Sequence, residues 1–241
     1  MMTERMNNMK ILMIHGQGHK GITYTMAHCV LENLKKKDTE IKEFFLPKDG
    51  PGFCVGCNNC FLKGEEACPE AEKVQPIVKA MEWADVVMLT TPNYCMEMSG
   101  AMKNLLDHFA YRWVTHRPHE SMFHKVGITL SSSAGAPPNT AVKSLAKQLK
   151  WMCVPVVYTF PFISNAMGVG DLSEKKRQEM EKKSVKIAKK VEKAVKRKHV
   201  GLRTKVQFLL LGRMQMGEAA WNPTDSIWWE NHGWLNGKRP W

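Results

Sequence analysis

The sequence of 241 residues contains no apolar run of 18 residues, so a membrane-spanning helix is not expected. The longest candidate, 151–163, is short and is interrupted by Pro155 and Pro161. Residues 1–10 are polar, and the apolar stretch 11–14 is too brief for the hydrophobic region of a signal peptide. We therefore expect a cytoplasmic protein, in a compartment where clustered cysteines bind metals or act in catalysis rather than form structural disulfides.

Acidic residues are fewer than basic ones. The chain contains 23 Asp and Glu and 35 Lys and Arg, which gives it a formal net charge of +12. Many of the cations lie in segment 173–198, where apolar residues recur at helical spacing. This pattern is typical of a surface helix with a solvated basic face, and binding to nucleic acid or anionic lipid is the alternative. The segment lacks interleaved aromatic residues and any recognition motif, so no nucleic-acid partner is expected.

No internal repeat or low-complexity linker divides the chain, and short apolar runs alternate with amphipathic segments. The predicted strands are 10–15, 40–46, 85–90, 125–130 and 153–160. The predicted helices are 22–37, 70–83, 99–115, 139–151 and 173–198. This alternation predicts a doubly wound α/β domain with a five-stranded parallel sheet over residues 1–198.

Residues 199–241 differ in composition and form a predicted helical, Trp-rich C-terminal extension. The apolar segment 205–216 is followed by five of the eight tryptophans of the chain. A disordered tail would be poor in aromatic residues, so we expect the extension to pack on its own domain or on a partner subunit. Membrane contact through Phe208–Leu211 is the alternative.

Three loops follow the first, third and fourth predicted strands and should meet at the carboxyl edge of the sheet, where ligands bind. The first, Gly16–Gly21, formally fits the dinucleotide pattern G-x-G-x-x-G. No acidic residue ends the second strand to hold a ribose, whereas the free N–H groups and the Thr23 hydroxyl at the helix start suit a terminal monophosphate. His19 or Lys20 can add positive charge. The sequence thus favours a mononucleotide phosphate over a bridging pyrophosphate or an ordinary turn.

The other two loops offer a surface for a planar ring. In loop 91–99, Pro92 fixes the backbone and Tyr94 can stack on a ring. Segment 131–135 is small and polar, so its backbone N–H groups can approach a ring edge closely. We expect the three loops to converge on one crevice.

Four cysteines lie in loop 48–69 with the spacing Cys-x2-Cys-x2-Cys-x7-Cys: Cys54, Cys57, Cys60 and Cys68. Three closely spaced thiolates and a fourth just downstream suit a 4Fe–4S cluster. Zinc usually takes two separated Cys-x2-Cys knuckles, which are absent here, and free or redox-active thiols are the third interpretation. We predict that Cys29 and Cys153 are core residues. Cys95 lies in a ligand loop, and the sequence leaves open whether it is a core residue or contacts the ligand.

These segments together resemble the NADPH-dependent FMN reductase and iron-sulfur flavoprotein branch of the flavodoxin-like superfamily, over roughly residues 10–165. The resemblance lies in the loop Gly16–Thr23, the segment Cys54–Cys60, the motif Pro92–Tyr94 with Met98–Gly100, and the segment Ser131–Gly135. In the first loop the family's Ser, Arg and Asn are replaced by Gln17, His19 and Ile22. Phosphate contacts would therefore depend more on the backbone and on Lys20.

The resemblance implies a flavodoxin-like fold, bound FMN and a homodimer or higher homo-oligomer. The implied cofactor-binding residues are Gln17, His19, Lys20, Gly21, Ile22, Thr23, Pro92, Asn93, Tyr94, Cys95, Met98, Ser132, Ser133, Ala134 and Gly135. The expected function is an FMN-dependent NAD(P)H oxidoreductase that reduces a small acceptor such as a quinone, a nitro compound or a flavin. Tyr94 and the tail tryptophans are candidates to line the acceptor pocket. The alternatives are an iron-sulfur electron carrier with a 4Fe–4S cluster beside FMN, and a binding module with a vestigial flavin fold.

Overall fold

The computed structural model describes residues 8–217, 220 and 222–241, so Trp221 of the predicted extension lies outside the described residues. All neighbouring strands of the five-stranded sheet pair in parallel, in the order β2-β1-β3-β4-β5, which is the flavodoxin-like order. The strands are β1 (Lys10–His15), β2 (Glu40–Phe45), β3 (Val86–Pro92), β4 (Val126–Ser133) and β5 (Val156–Ile163).

Helices cover both faces of the sheet. They are α1 (Ile22–Leu34), α2 (Asn59–Leu62), α3 (Ala71–Trp83), α4 (Gly100–Asp107), α5 (Asn139–Trp151), α6 (Glu174–Arg197), α7 (Leu202–Gly212) and α8 (Pro223–Asn231). Within the described chain, no helix combines the length with the apolar character needed to cross a bilayer.

The alternation of side chains along β1 separates two apolar layers. Ile11 and Met13 pack with α1 and α6, whereas Leu12 and Ile14 pack with α3 and α4 on the opposite face. All four side chains are fully buried, as expected for a central parallel strand covered by helices on both sides. The rigid sheet thereby fixes the positions of the loops that leave its carboxyl edge.

The C-terminal extension packs on its own chain, against the layer that contains α3 and α4. Phe208 of α7 stacks on Trp229 of α8 with ring centroids 4.6 Å apart, and both side chains are buried. A Cβ atom on Gly212 would lie 2.7 Å from the Trp229 ring, so glycine is what allows α7 to approach α8 this closely. The outer face of α7 leaves Leu209 and Leu210 exposed to solvent.

The predicted boundaries differ from the structure at several places. The helix predicted at 22–37 ends at Leu34, and the predicted loop 48–69 contains the short helix α2. Strand β3 continues to Pro92, because the Asn93 N–H extends the ladder to the Ser132 carbonyl at 3.0 Å. The helix predicted at 99–115 ends at Asp107, after which the chain tightens into a 3-10 turn at Ala110–Arg112. The fifth strand begins at Val156 rather than at residue 153.

A helix cap explains the late start of β5. Cys153 adopts a left-handed φ of 71°, and the Val154 N–H donates to the Leu149 carbonyl at 3.0 Å, which is the geometry of a Schellman cap closing α5. Cys153 is buried, as predicted. The prediction that Cys29 is a core residue holds only in part: the residue packs against the apolar layer between the sheet and α1, but its thiol is partly exposed and lies 3.4 Å from a carboxylate oxygen of Glu181 on α6.

Candidate functional site

The three predicted loops border one cleft of about 340 Å³ at the carboxyl edge of the sheet. A volume of this size is within the range of cofactor sites. The residues that line the cleft are Gln17, His19, Gly21, Ile22, Thr23, Pro92, Asn93, Tyr94, Ser132, Ser133, Ala134, Ser164, Ala166 and Met167.

The N-terminus of α1 opens into this cleft without a cap of its own. The first intrahelical bond joins the Thr25 N–H to the Gly21 carbonyl at 3.0 Å, so the N–H groups of residues 22–24 have no partner within the helix. Gly21 supplies no capping side chain, and the first turn contains no acidic residue. The positive end of the helix is therefore available to an anion.

Gly16 holds the first loop against the second. Its carbonyl accepts a hydrogen bond of 2.6 Å from the Ser99 hydroxyl, and its N–H donates to the Thr90 carbonyl at 2.7 Å. A Cβ atom at this position would lie 2.8 Å from the Ser99 oxygen and 3.0 Å from the Thr90 oxygen. Gly16 is therefore required by close packing between loops, and it does not line the cleft.

A hydroxyl pair joins the first loop to the third. The oxygens of Thr23 and Ser132 lie 2.6 Å apart, and both side chains are buried. Because one hydroxyl donates to the other, one of the two hydrogens remains for a ligand. The pair thus fixes the distance between the loops and still presents a donor to the cleft.

The second loop combines an unpaired acceptor with an exposed ring. The Asn93 side-chain oxygen is buried and has no hydrogen-bond partner among the described residues. The main chains of Tyr94 and Glu97 exchange two hydrogen bonds of 2.9 Å, and Cys95 and Met96 between them both have positive φ. This tight turn leaves the Tyr94 ring 53% exposed.

These features fit a phosphorylated aromatic cofactor such as FMN. The helix end offers N–H donors to a phosphate, the buried Asn93 oxygen lacks the N–H donor that a ring edge would supply, and Tyr94 presents an aromatic surface. An additional charge on the first loop comes from Lys20, whose ammonium lies 5.2 Å from the centre of the Tyr24 ring.

Four of the predicted cofactor residues do not line this cleft. Gly135 borders an adjoining hollow together with Ala134, whereas Met98 is buried and lies beside α4. Cys95 occupies the exposed tip of the tight turn, and Lys20 points toward Tyr24. Their roles in binding stay predictions.

Sequence reasoning missed the residues that follow β5. Ser164, Ala166 and Met167 complete the cleft, and the Ser164 hydroxyl donates to the Ser133 carbonyl at 2.9 Å. The signal was the polar pair Ser164-Asn165 directly after the apolar run ending at Ile163, which marks the carboxyl end of a strand. The prediction that tail tryptophans line the acceptor pocket is not met by the four that the structure describes, because none of them lines the cleft. Trp229 and Trp234 are buried in the core, and Trp228 and Trp241 pack against it.

The cysteine segment, residues 48–69, is held by two side chains, one from α4 and one from the residue that follows this helix. The Asn104 side chain accepts a bond of 3.0 Å from the Cys54 N–H and donates to the Gly52 carbonyl at 2.9 Å. One ring nitrogen of His108 lies 3.0 Å from the Gly52 carbonyl, and the other lies 3.7 Å from the Cys68 sulfur. The loop is thus fixed at its start and at its fourth cysteine.

The C-terminal extension holds the middle of the same segment. The Arg117 guanidinium donates to the Cys60 carbonyl and, at 2.5 Å, to the Asp225 carboxylate of α8. The Asn222 side chain donates to the Phe61 carbonyl at 3.1 Å, and Thr224 donates to the Leu62 carbonyl at 3.0 Å. The extension therefore contacts the short helix α2, which contains Cys60.

Two of the four thiols, those of Cys60 and Cys68, are not activated as nucleophiles. Burial, followed by the nearby Cys68 and Cys54, raises the pKa of the Cys60 thiol above its usual value. Burial also raises the pKa of Cys68, with Cys57 and Cys54 contributing. A reactive cysteine needs a lowered pKa, so the surroundings of these two cysteines disfavour the thiolate unless a cation is bound.

The family whose description is NADPH-dependent FMN reductase matches residues 9–168. The chain belongs to this family. It is therefore an NAD(P)H-dependent flavin oxidoreductase by family, with the flavodoxin-like fold that the sheet order shows.

Two curated relatives and one solved structure illustrate the similarity. An iron-sulfur flavoprotein of Archaeoglobus fulgidus is 26% identical over 173 residues, which cover 71% of this chain and 77% of that protein. The FMN-dependent NADH:quinone oxidoreductase 1 of Mesoplasma florum is 26% identical over 140 residues, covering 53% of this chain and 68% of that protein. The crystal structure of an azoreductase from Bacillus anthracis aligns with a TM-score of 0.55 at 15% identity, covering 78% of this chain and 99% of that chain.

Proposed function

We propose that this protein binds FMN in the 340 Å³ cleft and uses NAD(P)H to reduce a small acceptor. The uncapped N-terminus of α1 supports this proposal most directly, because it offers unpaired N–H donors to a terminal phosphate. The ring system would lie between Pro92–Tyr94 on one side and Ser132–Ala134 on the other. FMN, when bound, supplies the chemistry by accepting a hydride from the nicotinamide and passing two electrons to the acceptor.

The protein's own groups would bind and orient the cofactor. The Thr23–Ser132 pair offers one hydroxyl donor, and the Asn93 oxygen can accept from a ring N–H. Tyr94 and Met167 are exposed at the mouth of the cleft, where an acceptor would enter. A quinone, a nitro compound or a flavin is the proposed acceptor class, and the similarity to a quinone oxidoreductase supports the first of these.

A comparison of FMN with riboflavin tests the proposal, because riboflavin has the same ring system without the phosphate. We expect FMN to bind at least ten-fold more tightly by fluorescence quenching, since a charge-assisted bond contributes about 1.5–3 kcal/mol. Mixing the FMN complex with NADPH or NADH under anaerobic stopped-flow conditions should bleach the flavin. Equal affinities, or no bleaching by either nucleotide, would reject the proposal.

An iron-sulfur electron carrier is the second candidate. The cysteine spacing and the similarity to an iron-sulfur flavoprotein support it. Anaerobic purification should then yield a brown protein that contains about four irons per chain, as expected for one 4Fe–4S cluster. Cys57→Ala should lose the iron and keep FMN binding, whereas Cys29→Ala, outside the segment, should keep both.

We further propose that the chain is cytoplasmic and forms a homodimer or larger homo-oligomer, with a fold unit at 1–198 and an extension at 199–241. Phe53, Val55 and Leu62 of the cysteine segment are exposed apolar side chains that support self-association. Light scattering coupled to gel filtration would measure the oligomer size, and a monomer at all concentrations would reject this part of the proposal.

A further inference from the structure

Three side chains from three different elements converge outside the proposed FMN cleft. His15 ends β1, His28 lies on α1, and Glu43 lies on β2. The Nε2 atoms of His15 and His28 lie 2.7 Å and 2.9 Å from the same oxygen, Oε1 of Glu43. Among the described residues, this is the only group of three His, Cys, Asp or Glu donors whose atoms all lie within 4.8 Å of one another.

Both imidazole rings are held in place by further contacts. The second ring nitrogen of His15, Nδ1, lies 3.0 Å from the Thr90 hydroxyl of β3. Phe45 stacks on His15 with centroids 4.7 Å apart, and Tyr24 packs on His28 at 4.0 Å. A partner on the far nitrogen that fixes ring orientation is the usual arrangement around a metal-binding histidine.

The charge and exposure of the group also suit a cation. Two neutral imidazoles and one carboxylate carry a single negative charge, and two nitrogens with one oxygen form a donor set that binds zinc-like ions. The His15 side chain is buried, whereas those of His28 and Glu43 are 28% and 25% exposed. An ion can therefore enter from solvent on the His28 side and remain partly desolvated.

We propose that His15, His28 and Glu43 form a binding site for one divalent transition-metal ion of the Zn²⁺ type. Each neutral imidazole would move its hydrogen to Nδ1 and present the Nε2 lone pair, with His15 Nδ1 donating to the Thr90 oxygen, so binding releases no proton from the rings. The ion would replace the two hydrogen bonds to Glu43 and leave a coordination position for water. Because His15 directly precedes Gly16, such an ion would connect β1, β2 and α1 at the start of the first loop.

Thiolates bind added zinc readily, so the test removes the four thiols of the cysteine segment. In a chain carrying Cys54→Ser, Cys57→Ser, Cys60→Ser and Cys68→Ser, we expect titration with Zn²⁺ to show one site by calorimetry. Titration with Co²⁺ should give visible absorption without a sulfur-to-metal charge-transfer band. Adding Glu43→Gln should weaken Zn²⁺ binding by more than ten-fold, because even the loss of an outer partner costs 10- to 100-fold.

His119→Gln is the matched control, because His119 lies 4.0 Å from Glu82 and, as far as the described residues go, this pair is not part of a group of three donors. It should leave Zn²⁺ affinity unchanged. If the serine variant fails to fold, Glu43→Gln in the otherwise unchanged chain should lose one equivalent of Zn²⁺ and keep the thiolate-bound fraction. Equal Zn²⁺ binding with and without Glu43→Gln, or no binding to the folded serine variant, would show that the group is a hydrogen-bonded triad only.

Discussion

The Asp225 carboxylate of α8 accepts a hydrogen bond of 2.5 Å from the Arg117 guanidinium, and both side chains are almost completely buried. The same guanidinium donates to the carbonyl of Cys60, so one buried ion pair connects the C-terminal extension to the cysteine segment. His116 also contacts the Asp225 carboxylate, at 2.8 Å. The extension therefore stabilises the segment whose four thiols are the proposed cluster ligands.

Removing one partner of this pair should be strongly destabilising. Asp225→Ala removes the carboxylate that lies 2.5 Å from the Arg117 guanidinium and leaves this buried charge with only the Glu65 carboxylate at 3.4 Å. Breaking a buried pair in this way typically costs about 3–5 kcal/mol. Urea unfolding should show this loss as a lower midpoint. Glu230→Ala on the exposed side of α8 is the control and should change the free energy of unfolding by less than about 0.5 kcal/mol. A loss for Asp225→Ala as small as that of the control would show that the pair contributes little to stability.

A change to alanine should have different effects at Gly16 and at Gly100. Gly16→Ala places a Cβ atom 3.0 Å from the main-chain oxygen of Thr90, which cannot move without disturbing β3. We expect a loss of about 1–3 kcal/mol from overpacking. Gly100→Ala begins α4 with no atom within 4 Å of the new Cβ, so it should be neutral or stabilising by about 0.5 kcal/mol. Thermal unfolding of both variants would measure the contrast, and an unchanged Tm for Gly16→Ala would refute the packing argument.

The sheet and the three loops could be predicted because local sequence determines them. Alternating apolar runs predict the strands, and the parallel arrangement brings their carboxyl ends together. The start of β5 could not be placed, because the left-handed Cys153 that delays it depends on how α5 is capped. The end of β5 at Ile163 and the cleft residue Ser164 were missed for another reason, since the polar pair that marks this end was not used.

Contacts between residues that are far apart in the sequence could not be predicted, because no local sequence pattern indicates them. Arg117 and Asp225 are 108 residues apart, and nothing in either neighbourhood indicates the other. His15, His28 and Glu43 meet only because β1, α1 and β2 pack together, and their spacing matches no ligand motif. The cysteine segment was recognisable from its spacing, whereas its contacts to α8 required the fold.

Lys125 should make stability depend on alkaline pH. Its ammonium is buried and donates to the Glu82 carbonyl at 2.9 Å, and burial lowers its pKa to about 8, against the opposing effect of Asp85. The unfolded chain keeps the usual lysine value near 10.4, so between pH 8 and 10.5 it binds more protons than the folded chain. Stability therefore rises with pH in this window, by about 3 kcal/mol in total as an order of magnitude.

Lys125→Met isolates this contribution. Burial raises the pKa of Tyr111 to about 12, which has the opposite effect at high pH, but Tyr111 is present in both proteins and its contribution cancels. The difference in unfolding free energy between the original chain and Lys125→Met should shift in favour of the original chain from pH 8 to pH 10.5 and stay flat from pH 6 to pH 7. A constant difference over the whole range would mean that Lys125 titrates normally in the folded state.

Removing one hydroxyl of the Thr23–Ser132 pair should test whether FMN binds at the junction of the first and third loops. Thr23→Val keeps the shape of the side chain but removes its hydroxyl and leaves Ser132 without its 2.6 Å partner, so the cleft loses a fixed donor. We expect FMN affinity to fall by about ten-fold, the equivalent of one hydrogen bond of about 1.4 kcal/mol. Thr25→Val is the matched control, since the Thr25 hydroxyl donates to the Gly21 carbonyl at 3.1 Å and does not line the cleft. Fluorescence titration with FMN should rank Thr23→Val well below Thr25→Val; equal affinities would place the cofactor away from the Thr23–Ser132 junction.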